Sequence, residues 1–61
     1  MAKITLKGDL IATVKETVDE LAEKIDSKIH IGMPFIKVNG YFGGEMLIRI
    51  EEILTAIDTI E

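Results

Sequence analysis

Asn39-Gly40, set between two runs of alternating apolar residues, restricts this chain more than any other dipeptide in it. Asn-Gly between alternating hydrophobics is the strongest short-range hairpin signal, because a type I′ turn needs positive φ at both central residues. The signal predicts a hairpin over residues 29–50. With Asn39-Gly40 as a two-residue turn, Val38 pairs with Tyr41, Phe35 with Gly44 and Ile29 with Ile50. Side chains alternate between the faces of a strand. One face then collects Ile29, Ile31, Met33, Phe35, Phe42, Met46, Ile48 and Ile50, with Lys37 its only charge. The other carries His30, Pro34, Ile36, Val38, Tyr41, Glu45, Leu47 and Arg49. Gly43-Gly44 leaves a second turn open, in which Asn39 to Glu45 forms one wider loop and Met46–Ile50 is the second strand. Pro34 cannot donate to a ladder and belongs at an edge or bulge, so full pairing can shrink to Phe35–Val38 and its partners.

Before the hairpin the period changes. Lys3-Ile4-Thr5-Leu6-Lys7 alternates with period two and reads as a strand closed by Gly8-Asp9. From Leu10 the apolar positions Leu10, Ile11, Val14, Val18, Leu21, Ala22 and Ile25 follow helical spacing. They predict a helix over residues 10–26 with Asp9 as N-cap. Its outer face holds Lys15, Glu16, Asp19, Glu20, Glu23, Lys24 and Asp26. Ser27-Lys28 then loosens the chain. After the hairpin, Ile50, Ile53, Leu54, Ile57 and Ile60 fit a helical stripe over residues 51–59. Ile53, Thr55, Ile57 and Thr59 are β-branched, however, and favour a strand. The expected architecture is a single α+β domain over residues 1–61, β-α-β-β-α, with an antiparallel sheet centred on the hairpin. A last segment in strand form gives β-α-β-β-β.

Length and charge limit function. A 61-residue chain without cysteine can use neither disulfides nor thiolate metal sites. Yet it is 48% hydrophobic, more than so small a body hides easily. The surplus points to a homodimer or to an exposed apolar binding patch. A net charge of −4 argues against general binding to nucleic acid or anionic lipid. No apolar run reaches the ~20 residues of a bilayer span, and Met1-Ala2-Lys3 opens no signal peptide, so the expected location is the cytoplasm.

Catalytic chemistry finds no foothold. Ser27 is the only serine and His30, three residues on, the only histidine; the pair does not read as an assembled triad. A metal site on Asp26 and His30 needs further ligands brought by symmetry. Glu51-Glu52 has no evident cleft and reads as a helix start. Neither cofactor nor metal is expected.

What remains is contact chemistry. Ile36, Val38, Tyr41 and Leu47 with Phe42 and Arg49 have the composition of an interface centre and rim, and form the expected interface. Glu16, Asp19, Glu20 and Glu23 form an acidic face suited to steering a basic partner. The expectation is a non-enzymatic, dimeric protein-binding module. Two alternatives stand beside it. One is an acidic nucleic-acid mimic or nucleic-acid-associated regulator, for which direct binding needs Lys3, Lys7, Lys28, Lys37 and Arg49 on one face. The other is a structural or scaffold domain.

Gly40-Tyr41-Phe42-Gly43 resembles the GxxG clamp of KH domains, but there the loop joins helices and is flanked by basic residues, so turn geometry is the reading kept for these glycines. Phe35-Ile36-Lys37-Val38-Asn39-Gly40 with Met46-Leu47-Ile48-Arg49-Ile50-Glu51-Glu52-Ile53 resembles a strand-turn-strand of short proteins from phages and prophages of Gram-positive bacteria. The same segment is similar to small flagellar FlbD-like proteins, in which the residues after the second strand are again extended. The phage resemblance implies an accessory protein of the host cytoplasm, including the class of small inhibitors that bind host defence proteins. It carries over no catalytic residue.

Overall fold

In the computed structural model, which describes residues 1–59, the chain is an α+β domain built from two antiparallel sheets and a helix. β1 (Ala2–Leu6) turns through Lys7-Gly8-Asp9 into β2 (Leu10–Val14). Helix α1 (Val18–His30) follows, then the hairpin of β3 (Phe35–Asn39) and β4 (Glu45–Arg49). A single 3₁₀ turn over Ile50–Glu52 leads to β5 (Ile53–Asp58). β1 lies between β2 and β5, while β3 and β4 form a sheet of their own. A bridge between Val14 and Gly40 joins the two sheets.

The predicted helix over residues 10–26 is corrected at its N-terminal half. Gly8 and Asp9 both take positive φ, 86° and 61°, and fold β2 back on β1 with Leu6 opposite Leu10 and Ala2 opposite Val14. Asp9 is therefore a turn residue rather than an N-cap. The helix starts eight residues later, at a capping box: the Thr17 hydroxyl accepts from the Glu20 amide and the Glu20 carboxylate accepts from the Thr17 amide. A second acceptor comes from far along the chain, where Asp58 Oδ1 takes the Val18 N–H at 2.8 Å. This carboxylate satisfies a free first-turn amide and opposes the helix dipole.

The predicted helix over residues 51–59 is also corrected, in favour of the strand alternative. β5 runs antiparallel to β1, with Lys3 opposite Ile57 and Thr5 opposite Thr55, and a bulge places Ile53 and Leu54 against Leu6. Its β-branched residues suit the pleat better than a helix. Ile60, counted in the helical stripe, lies outside the described residues.

The hairpin is shorter than residues 29–50 and turns differently. Ile29 and His30 end α1, and pairing begins at Phe35 opposite Arg49 and closes at Asn39 opposite Glu45. The loop is Gly40–Gly44, the wider alternative without its two end residues. Moving Val38 from Tyr41 to Met46 is a shift of five residues. An odd shift exchanges the faces of β3 relative to β4. Ile36 and Val38 thus turn inward beside Ile48. With Ala2, Ile4, Val14 and Leu21 they form the buried core, against which Leu6, Val18, Ile25, Met46 and Ile53 pack. Each fully buried Ile, Leu or Val side chain among them contributes about 1.5–3 kcal/mol.

Candidate interaction surface

The loop Gly40–Gly44 is held from several sides. Gly40 N–H donates to the Gly44 carbonyl at 2.9 Å, Gly43 N–H to the Gly40 carbonyl at 3.1 Å, and Tyr41 N–H to the Thr13 carbonyl of β2 at 2.9 Å. Lys15 N–H reaches the Asn39 carbonyl at 2.8 Å. Gly40 is required by space, since a Cβ there would lie 2.9 Å from the Gly43 carbonyl oxygen. The loop holds Phe42 outward at 93% exposure, its ring meeting Tyr41 edge to face at 5.1 Å. Beside the two aromatics an open cleft of about 360 Å³ runs along Ile11, Thr13 and Met46.

A buried carboxylate fixes the base of this loop. Glu16 is 4% exposed. Both its oxygens accept from the Asn39 amide at 3.0 Å, and Oε2 also accepts from Asn39 Nδ2 at 3.2 Å. Lys24 Nζ lies 3.1 Å from Oε2 and donates to the Lys37 carbonyl at 2.7 Å. Desolvation pushes the Glu16 carboxyl toward neutrality. The Asn39 amide, the residue's own backbone and the Lys24 ammonium together outweigh it and hold the group below its ordinary range. Asn39, read from sequence as a turn residue, works as a clamp between β3 and the β2–α1 junction.

The outer face of the hairpin carries a second exposed group. Leu47 is 71% exposed. Arg49 sits 5.5 Å from the centre of the Phe35 ring and pairs with Glu51 at 3.2 Å, and Lys37 pairs with Glu45 at 3.2 Å. At the base of this face an open cleft of about 430 Å³ is lined by Ile29, Met33, Pro34 and Ile50, with Arg49 and Glu51 at its rim.

The six residues expected at one interface therefore separate. Ile36 and Val38 are core residues, 1% and 0% exposed, and leave the list because the longer loop turns them inward. Tyr41 and Phe42 stand at the loop; Leu47 and Arg49 stand on the outer hairpin face. Of the acidic face, Asp19, Glu20 and Glu23 remain exposed on α1, while Glu16 is internal. Ile11, 66% exposed beside the loop, was hidden from sequence reasoning by its assignment to a helix stripe. The five basic residues considered for nucleic acid do not act as one free set, since Lys37 and Arg49 are paired with carboxylates.

Among the described residues no group of three or more His, Asp or Glu side chains could hold a metal ion, and no helix is long and apolar enough to cross a membrane. Comparison with protein-family models, with curated proteins and with solved structures returns no match.

Proposed function

We propose that this chain is a non-enzymatic protein-binding module whose anchor is the Tyr41–Phe42 loop. One observation carries the reading: an aromatic ring 93% exposed on a loop tied by backbone hydrogen bonds to a neighbouring strand. An exposed ring on a slack loop loses entropy when it docks, whereas one already held loses little. Aromatic anchors next to a small cleft are the usual centres of binding energy. Asp19, Glu20 and Glu23 on α1 add a field that speeds encounter with a basic partner.

On the same reading two copies meet over the outer hairpin face. Lys37 and Arg49 balance Glu45 and Glu51 there, so two chains of net charge −4 approach without a large like-charge penalty. The likeness of the hairpin to short phage proteins directs the search to a host protein in the cytoplasm, with inhibition of a defence factor as the activity. The nucleic-acid-mimic reading is weakened, because its acidic row loses Glu16 to the interior.

Capture from host lysate with the wild-type chain and with Phe42→Ser tests the anchor. A partner held by the first and lost by the second supports it. An identical set of captured proteins overturns it.

A further inference from the structure

We propose that the outer edge of β5 docks an extended peptide of alternating apolar residues flanked by lysines. β5 ends the order β2-β1-β5, and among the described residues no strand pairs with its far side. The Thr59 N–H donates to the Met1 carbonyl at 3.0 Å. Alternation along an antiparallel ladder then turns the N–H and C=O groups of Thr55 and Ile57 toward β1, and those of Ala56 and Asp58 away from it. Such an edge is a template for a further strand. Edges that must stay unpaired are blunted by charge, proline or bulges; Ile53-Leu54-Thr55-Ala56-Ile57 holds no charge or proline, and its one bulge lies at the Leu6 end, leaving 55–58 regular. Leu54, set out by the bulge, and Ile57 are 57% and 64% exposed, which gives an added strand apolar neighbours.

Charge selects the occupant. The uncharged run is bounded at one end by Glu52 and by Glu51, which pairs with Arg49, and at the other by Asp58, which keeps its charge while its Oδ1 caps α1. The strand already on its inner edge, Lys3-Ile4-Thr5-Leu6-Lys7, has the complementary form in sequence, although its contacts with β5 run through the backbone: Lys3 lies opposite Ile57 and the Lys7 N–H donates to the Glu52 carbonyl at 2.9 Å. A second copy of β5 laid antiparallel sets Glu51 and Glu52 near the other copy's Asp58, a like-charge contact that disfavours it. The edge is distinct from the Tyr41–Phe42 loop, so its test stands or falls separately.

The test is titration of the isotope-labelled full chain with an acetylated, amidated peptide of residues 2–8, followed by amide resonances. The expected result is saturable shifts centred on Ala56 and Asp58, roughly threefold weaker binding in high salt, loss of binding in Leu54→Lys and Ala56→Pro, and unchanged binding in Phe42→Ala. Leu54→Lys changes an exposed side chain and keeps the test informative if Ala56→Pro fails to fold. Four results overturn the proposal: no saturable shift at millimolar peptide; equal binding of a peptide with both lysines replaced by glutamate; shifts centred on Thr55 and Ile57, which report exchange of β1 itself; or concentration-dependent shifts at Ala56 without peptide, which give the edge to a second copy.

Discussion

Glu16 shows how one side chain ties local structure to the candidate site. Its carboxylate leaves water almost completely, and what it loses in hydration is offset by Asn39 and Lys24. Removing its charge leaves Lys24 near the Lys37 carbonyl without its counter-ion. Glu16→Gln is expected to lower stability by about 1–3 kcal/mol, measured by denaturant unfolding at neutral pH. The pH dependence follows from the depressed folded pKa. Below the folded value both states bind the proton and the ionisation of Glu16 contributes nothing; above the ordinary value near 4.5 that contribution is complete. The gap between wild type and Glu16→Gln should thus be constant at neutral pH and narrow as pH falls below 4.5. A gap that persists unchanged in acid contradicts this role. The same residue marks a limit of sequence reading. Glu16 sits in a run of charges that resembles a solvated face, and nothing nearby in sequence announces Asn39 as its partner.

At the scale of elements, the errors of sequence reading have physical causes. Leu10, Val14, Val18, Leu21 and Ile25 keep helical spacing across a strand, a turn and a helix, so periodicity alone merged the three. Thr17-x-x-Glu20 is a capping box in plain view and gives the true start of α1. Thr17→Ala is expected to lower stability by about 1 kcal/mol, and Asp9→Ala to leave the helix itself unaffected, both read by circular dichroism and unfolding. The hairpin was legible as a hairpin, but Asn39-Gly40 suggested the tightest turn. A loop of five residues instead of two exchanges the faces of β3. That is why Ile36 and Val38 were misplaced while Met46 and Ile48 were not. Gly40→Ala meets the Gly43 carbonyl and should destabilise the loop by about 1–3 kcal/mol. In β5, hydrogen exchange should find the amides of Thr55 and Ile57 slow and those of Ala56 and Asp58 fast. Protection that continues evenly through 53–58 would restore the helix.

For the whole molecule, the surplus of apolar residues was legible from composition, and its location was not. Two sheets and one helix close a small core, and large side chains from Leu10 to Ile57 are left at the surface. Most of them lie at the Gly40–Gly44 loop and beside it, on the outer face and base of the hairpin, and along β5. Light scattering is expected to give a dimer at micromolar concentration, and Leu47→Asp, at the centre of the outer hairpin face, a monomer with unchanged circular dichroism. A wild-type monomer under those conditions removes the dimer from the account and leaves the loop as the binding surface. The loop itself is tested most directly by the affinity of the captured partner for wild type and for Phe42→Ala. Phe42 is nearly wholly exposed, so its truncation should change stability by less than about 0.5 kcal/mol. The account predicts at least a tenfold loss of affinity, about 1.4 kcal/mol, at unchanged stability; equal affinity for the two chains would contradict it.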